Sequence, residues 1–180
     1  MFFTEINNLI IQYMDDAVYK LHQTPAECAK DLMQFVPLVA NDVVIEPFRG
    51  DGAFYNNFPD NVIKNWAEIK EGRDYTELVG GYDWVITNPP FRLETGVKRV
   101  NSFWFILDYY TQRARKGVAF LTNDKCFAVL TPKRMELLKT RGFAITSIVV
   151  CSIKKWRGRY FFLVLEKDKE PVVKHLLKNY

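Results

Sequence analysis

The residues best suited to chemistry form the tetrapeptide Asn88-Pro89-Pro90-Phe91, which follows a short apolar run at residues 83–87. The run predicts a buried strand, and the two prolines end it because they lack amide hydrogens and fix their own φ. A residue that precedes proline is forced into extended geometry, so Asn88 and Pro89 should form a stiff segment with oxygen acceptors outside the sheet. Such acceptors beside an aromatic ring could hold a flat, amine-bearing group and make its nitrogen more nucleophilic.

A second motif begins about 40 residues upstream, where the predicted strand at 42–46 leads into Pro47-Phe48-Arg49-Gly50-Asp51-Gly52. Two glycines one residue apart let the backbone approach a ligand closely, and a helix that starts after them would offer unpaired amide hydrogens. A dinucleotide-binding fingerprint needs a third glycine three residues on, but Tyr55 stands there. The motif therefore indicates a different ligand.

Together the two motifs resemble those of S-adenosylmethionine-dependent methyltransferases that act on planar nitrogens, above all the N6 atom of adenine. The resemblance implies that S-adenosylmethionine is the cofactor. Its methionine moiety would be bordered by Glu46, Gly50 and Gly52, and Pro47 and Asn88 would also belong to the cofactor site.

The resemblance also assigns catalytic roles within the tetrapeptide. The side-chain oxygen of Asn88 and the carbonyl of Pro89 would accept the two amine hydrogens, so that the nitrogen lone pair localises and attacks the sulfonium methyl. Pro90 would keep the turn rigid, and Phe91 would stack on the base. Positioning and charge placement would supply most of the rate enhancement.

Further cofactor contacts are implied upstream and downstream of the glycine motif. Thr24, in the pair Thr24-Pro25, would help to hold the methionine end, although Thr24 is equally well placed to cap a helix with Glu27 as its capping-box partner. Glu68 would accept hydrogen bonds from the ribose hydroxyls. Asp74 would accept from the adenine amino group of the cofactor, with Tyr75 near its face.

The stretch between Glu68 and Asp74 is too short for a full helix and another strand. The sheet is therefore predicted to be abbreviated on this side. The remaining pattern of alternating strands and helices predicts a doubly wound α/β fold, mostly parallel, with a C-terminal antiparallel hairpin. In this interpretation the chain is a single methyltransferase domain, with N-terminal helices over 1–40, a catalytic core over 41–180 and no separate target-recognition domain.

Several elements are predicted individually by periodicity and capping residues. They are an amphipathic helix over 4–21, a helix from Thr24, a second strand over 62–69, a polar loop over 92–100, a helix that Asn101 caps and that runs to about Arg115, a strand over 117–122, a helix from Thr131-Pro132 to about Thr140, strands over 143–152 and 159–166, and a short helix over 171–178.

The charge distribution is uneven. Residues 1–90 carry 6 Lys and Arg against 14 Asp and Glu, whereas residues 91–180 carry 19 against 7. A basic half that starts directly after the tetrapeptide favours a polyanionic partner. Together with the resemblance to the methyltransferases, it implies a nucleic acid, DNA more than RNA. The candidate substrate contacts are Phe91, Arg92, Lys98, Arg99 and, at the tip of the C-terminal hairpin, Lys154, Lys155, Trp156 and Arg157, where the tryptophan could stack on a base.

Composition narrows the class of protein. A hydrophobic content of 48% with 15% aromatic residues indicates a globular chain. The sequence contains no run of 18 apolar residues, so no membrane span is predicted. The N-terminal residues lack the features of a secretory signal. Three widely spaced cysteines and two histidines favour a reducing, cytoplasmic location and argue against disulfides or a structural zinc site.

The sequence thus predicts methyl transfer to adenine N6 in DNA. An RNA methyltransferase acting on adenine N6 or guanine N2 is the main alternative. A protein glutamine methyltransferase, or an inactive relative that binds nucleic acid, is a further alternative. Since no recognition domain fits in the chain, sequence preference would be loose, supplied by short loops, or lent by a protein partner.

Overall fold

The computed structural model describes residues 22–90, 92–95 and 98–175, with the backbone alone for 92–95 and 98–101. The helix predicted over 4–21 lies outside the described residues. Within the described part of the chain, no helix combines the length and the apolar character that crossing a membrane requires.

The described residues form eight strands and four α-helices. In chain order they are α1 (Ala26–Met33), β1 (Val43–Glu46), β2 (Ile63–Trp66), β3 (Tyr82–Thr87), β4 (Arg92–Thr95), β5 (Lys98–Asn101), α2 (Ser102–Thr111), β6 (Ala114–Asn123), α3 (Lys125–Val129), α4 (Pro132–Thr140), β7 (Phe143–Cys151) and β8 (Tyr160–Lys167).

Six of the strands form one mixed sheet in the order β2-β1-β3-β6-β8-β7. The pairs β1–β2, β1–β3 and β3–β6 are parallel, whereas β8 runs antiparallel to both β6 and β7. The predicted α/β sheet with an antiparallel C-terminal hairpin is confirmed. In the described residues β2 ends the sheet, so the predicted abbreviation on this side is confirmed as well.

The core lies on both faces of the sheet, because the central strands alternate their buried side chains. On β6, Val118 and Phe120 join the cluster that α2 and α4 cover, while Ala119 and Leu121 join the cluster that α1 covers. All six residues of β3 are buried. Coverage on both faces explains why Trp84, Val85 and Ile86 are apolar in succession, whereas the buried Asp83 before them pairs with Arg115.

Three predicted elements differ from the structure. The stretch predicted as a polar loop over 92–100 forms an antiparallel hairpin of β4 and β5, which pairs Arg92 with Asn101. Asn101 is the last residue of β5 and directly precedes α2, and α2 ends at Thr111, before the strand that contains Arg115. The segment 171–175 is not helical, since the Val172 amide donates to the Ile145 carbonyl of β7.

Two connections are shorter than the sequence suggested. After the glycine motif the chain makes turns and the 3₁₀ helix Tyr55–Asn57, not an α-helix. The strand predicted over 62–69 ends at Trp66, and the 3₁₀ helices Ile69–Glu71 and Tyr75–Glu77 fill the way to β3. Both connections, the one after the glycine motif and the one between β2 and β3, are therefore short and consist of turns and 3₁₀ helices.

Candidate active site

The two motifs lie at the same edge of the sheet. Strands β1 and β3 are parallel neighbours, with Ile45 opposite Val85, so the glycine turn after β1 and Asn88 after β3 both emerge at their carboxyl ends. The Thr87 hydroxyl donates to the Phe48 carbonyl at 3.4 Å and so links the two turns directly. This is the edge at which parallel α/β sheets bind their ligands.

The side chain of Asn88 is held by the segment that precedes α1. Its Nδ2 donates to the His22 carbonyl and to the Thr24 hydroxyl, each at 3.2 Å. Its Oδ1 has less than 1 Å² of exposed surface and meets no donor among the described residues. A buried acceptor without a partner is rare in folded proteins, and it is found where a ligand or a water supplies the missing donor.

The prolines after Asn88 are fixed by α2. Pro89 is buried, and the Ser102 hydroxyl donates to the Pro90 carbonyl at the base of the β4–β5 hairpin. Ser102 is itself fully buried. Sequence reasoning missed this serine, because nothing in its local pattern separates it from an ordinary first residue of a helix.

The glycine turn needs its glycines. Gly50 and Gly52 adopt φ of +53° and +83°, a region that side chains with a Cβ rarely enter. A Cβ at Gly50 would also collide with Oε1 of Gln23, which accepts a hydrogen bond from the Asp51 amide at 2.9 Å. The segment 22–24 thus contacts both motifs, Gln23 at the glycine turn and Thr24 at Asn88.

Glu46 carries a buried carboxyl group at the end of β1. Its Oε2 accepts from the Tyr55 amide at 2.7 Å, and the residue is 2% exposed. Burial raises the pKa of Glu46 well above its ordinary value, while the Tyr55 hydrogen bond and the nearby Arg49 oppose the rise. Carboxyl groups whose ionisation is disfavoured by burial are enriched at functional sites.

Glu68 lies against the glycine turn although it is not in a strand. One carboxylate oxygen accepts from the Gly50 amide at 2.7 Å and the other from the Lys70 amide at 3.1 Å, where Glu68 caps the 3₁₀ helix Ile69–Glu71. A carboxylate offers about four acceptor positions. The predicted ribose contact would therefore share this group with the backbone.

Asp74 and Tyr75 lie at the next turn. Asp74 forms a capping box with Glu77, and its carboxylate accepts from the Thr76 amide at 2.8 Å. The Tyr75 ring packs against Phe48, with 5.2 Å between ring centroids. Phe48 belongs to the glycine motif, so this contact places Tyr75 beside the turn, a role for Phe48 that the sequence did not single out.

Two arginine side chains and a tryptophan ring stack at the end of β2, beside the glycine turn. The guanidinium groups of Arg49 and Arg73 lie over the Trp66 ring, 4.0 and 4.2 Å from its centroid. Arg49 also pairs with Glu71. These contacts join the end of β2 to the glycine turn on the side where the sheet is abbreviated.

Two sequence interpretations on this edge are wrong. Thr24 does not cap α1, because Pro25 occupies the N-cap position without a side-chain hydrogen bond and the Thr24 hydroxyl contacts Asn88 instead. Trp156 is not placed to stack on a base, because it is only 7% exposed and packs against Tyr160 at 4.6 Å between ring centroids. Its large apolar ring gains more from burial than from exposure at the tip.

The other predicted substrate contacts are placed only in part. Phe91 lies outside the described residues, and Arg92, Lys98 and Arg99 are located by the backbone of the β4–β5 hairpin. Lys154, Lys155 and Arg157 are exposed at the tip that joins β7 to β8. Since Tyr160 pairs with Asn123 at the end of β6, the tip lies at the same sheet edge as Asn88, as predicted.

No protein-family model matches the chain, and no curated protein sequence matches it at a significant level. Solved structures do match.

The chain superposes on a putative class I S-adenosylmethionine-dependent methyltransferase from Listeria monocytogenes with a TM-score of 0.62 and 14% identity, covering 96% of this chain and 72% of that one. For a putative RNA methyltransferase from Pyrococcus horikoshii the TM-score is 0.56 at 18% identity, with 83% and 89% covered.

A third match is TrmN from Thermus thermophilus, with a TM-score of 0.54 and 18% identity over 83% of this chain. The chain spans about half the length of TrmN, since 51% of that chain is covered. These likenesses show that the protein has the class I methyltransferase fold.

Proposed function

We propose that the protein transfers a methyl group from S-adenosylmethionine to the N6 atom of adenine in DNA. The observation that carries the proposal is the unpartnered Oδ1 of Asn88, held at the end of β3 beside the glycine turn of the neighbouring β1. An amine hydrogen of the target base would supply the donor that this oxygen lacks.

The residues at the glycine turn fit the proposed cofactor. Gly50 and Gly52 give the turn a backbone conformation that residues with a Cβ rarely adopt, and Glu46 places a buried carboxyl group where the ammonium of a methionine moiety would compensate its charge. Further along the chain, Glu68 would contact the ribose of the cofactor, and Asp74 and Tyr75 would contact its adenine. When bound, S-adenosylmethionine supplies an electrophilic methyl group on a sulfonium.

The residues after β3 would act on the target nitrogen. Oδ1 of Asn88 and the Pro89 carbonyl would each accept one amine hydrogen, which localises the lone pair on the nitrogen. The Ser102 hydroxyl holds the Pro90 carbonyl, so the acceptors are fixed before the target arrives. Because Oδ1 is covered, entry of the target requires the covering residues to move. In a duplex the base would also have to leave the helix.

DNA is preferred over protein as the substrate class because exposed cations lie at the same sheet edge. Lys154, Lys155 and Arg157 are all exposed there, and they would neutralise phosphates. RNA is the second candidate, and the likeness to the Pyrococcus protein described as a putative RNA methyltransferase favours it.

A transfer assay with isotope-labelled S-adenosylmethionine tests the proposal. The full chain is incubated with duplex DNA, single-stranded DNA, RNA and a protein lysate. We expect label in DNA; label in RNA alone would support the second candidate, and label in protein alone would overturn the nucleic-acid assignment.

The matched control is Asn88→Ala. It should abolish transfer, because the target amine loses its side-chain acceptor, while the cofactor Kd from calorimetry changes only a few-fold. Loss of cofactor binding with transfer retained would refute the role given to Asn88.

A further inference from the structure

We infer that Thr24 is a positioning residue for Asn88: its hydroxyl fixes the side-chain amide so that Oδ1 faces the target. The inference rests on the proposed function, and it assigns to Thr24 a different role from holding the cofactor.

The first step concerns the orientation of the amide. The His22 carbonyl can only accept a hydrogen bond, so the group that faces it at 3.2 Å must be the Asn88 NH₂. Rotation of the amide by 180° would place Oδ1 against this carbonyl oxygen, and two acceptors would then repel each other. The His22 contact selects the amide orientation in which Oδ1 points away from the segment 22–24, and the Thr24 contact holds the side chain in that position.

The second step concerns the amide hydrogens. An NH₂ group has two, and the His22 carbonyl and the Thr24 hydroxyl accept one each. Nδ2 thus has no hydrogen left for a target base. Oδ1, buried and without a donor in the described part of the chain, is the one polar atom of Asn88 that a substrate can engage.

The third step explains why Thr24 is available. It precedes Pro25, which disfavours the helical region for Thr24, and α1 starts without a side-chain cap. The hydroxyl is therefore not used by the helix. Gln23 next to it accepts from the Asp51 amide, so the segment is also anchored at the glycine turn. The same three residues thereby connect the amide orientation to the proposed cofactor site.

A matched set of variants separates the two roles of Thr24. Thr24→Val keeps the shape and removes the acceptor, whereas Thr24→Ser keeps the hydroxyl. We expect Thr24→Val to lower the single-turnover transfer rate at saturating cofactor by about 10- to 100-fold, as misplaced catalytic groups do. The cofactor Kd from calorimetry should stay unchanged, and Thr24→Ser should restore the rate to near the wild-type value.

The opposite pattern overturns the inference. A weaker cofactor Kd with an unchanged saturated rate would mean that Thr24 holds the cofactor, and no change in either quantity would mean that it has no role. If Thr24→Val does not fold, Thr24→Ala at this half-buried position is measured in the same way, with the same expected split.

A spectroscopic readout keeps the test independent of activity. The side-chain amide signals of Asn88 are identified in ¹⁵N NMR spectra by their loss in Asn88→Ala. We expect Thr24→Val to shift one of the two amide hydrogens and Thr24→Ser to shift neither appreciably; unchanged signals in Thr24→Val would overturn the inference. Absence of methyl transfer by the wild type, with these shifts present, would instead contradict the proposed function alone.

Discussion

The two polar atoms of the Asn88 side chain differ in their hydrogen bonding. Nδ2 is bonded to the segment 22–24, and Oδ1 is left buried without a donor in the described residues. Leaving such an acceptor unpaired costs about 1–3 kcal/mol. At a turn stiffened by two prolines, this unpaired acceptor is consistent with the proposed contact to a ligand.

Glu46 makes a second residue-scale prediction, about pH. Because burial raises its pKa in the folded state, the stability associated with this group is fully present below its unfolded pKa and is lost as the pH rises through the folded pKa. Gln resembles the protonated acid and can still accept from the Tyr55 amide. Glu46→Gln should therefore melt at an equal or higher temperature than the wild type at pH 8, with the difference shrinking near pH 4.

The same variant should bind S-adenosylmethionine more weakly at neutral pH, since it lacks the carboxylate proposed to face the ammonium group. Thermal melts across pH and calorimetry at pH 7.5 measure the two effects. A variant that binds the cofactor as well as the wild type would contradict the role given to Glu46, and a large drop in melting temperature at pH 8 would contradict the direction of its pKa shift.

At this scale the sequence predicted residue types better than their contacts. The positions of Glu46, Gly50, Gly52 and Asn88 at one sheet edge follow from two motifs after parallel strands, which local pattern reveals. The contacts of Thr24 and Ser102 depend on which distant segment reaches the motif. Local pattern was compatible with a helix cap and with a cofactor contact for Thr24, and only the tertiary structure shows its hydroxyl on Asn88.

At the scale of elements, the glycine turn and its neighbours replace parts of a longer sheet. Where the sequence suggested a helix after Gly52 and a strand through Glu68, the structure has 3₁₀ helices and a strand of four residues. The stack of Arg49, Trp66 and Arg73 and the two hydrogen bonds of Glu68 hold this side together. Such long-range side-chain contacts have no signature in the local periodicity.

Gly50→Ala tests the glycine turn against a matched control, Gly72→Ala. Both positions have positive φ, +53° and +75°, so each alanine should cost about 1–2 kcal/mol of backbone strain. At Gly72 the added Cβ meets nothing within 4 Å, whereas at Gly50 it displaces Oε1 of Gln23 from the Asp51 amide.

We therefore expect Gly50→Ala to lose more stability than Gly72→Ala in thermal melts, by the roughly 0.5–1.5 kcal/mol that the hydrogen bond between Gln23 and the Asp51 amide contributes. Only Gly50→Ala should lose cofactor affinity, by about tenfold if roughly 1.4 kcal/mol of binding is lost. Equal cofactor affinities in the two variants would show that the turn does not form the cofactor site.

At the scale of the whole molecule, part of the basic second half of the chain lies at the same sheet edge as the two motifs. Charge counting along the sequence indicated a polyanionic partner, and the strand register places the exposed tip of the β7–β8 hairpin at the edge where the motifs lie. The sequence interpretation included the adjacency of β1 and β3 and the position of this tip at the same edge as the catalytic motif. It did not determine the burial of Trp156, because a tryptophan among lysines reads equally as exposed or packed.

Replacing Lys154, Lys155 and Arg157 by alanine tests this surface. If each neutralises one phosphate, the variant should bind DNA more weakly, and the slope of log K against log salt concentration should fall by about 2 to 3. The control replaces three exposed lysines at the opposite sheet edge, Lys139, Lys167 and Lys169, which lowers the net charge equally. Equal effects of the two triple variants in a salt titration would mean that net charge alone, not the tip, attracts the nucleic acid.

The most direct measurement of the central claim is mass analysis of nucleosides from DNA incubated with the full chain and S-adenosylmethionine. The account predicts N6-methyladenine with the wild-type protein and none with Asn88→Ala. It would be contradicted if no nucleoside carried a methyl group, or if the same methylated product formed with Asn88→Ala as with the wild type.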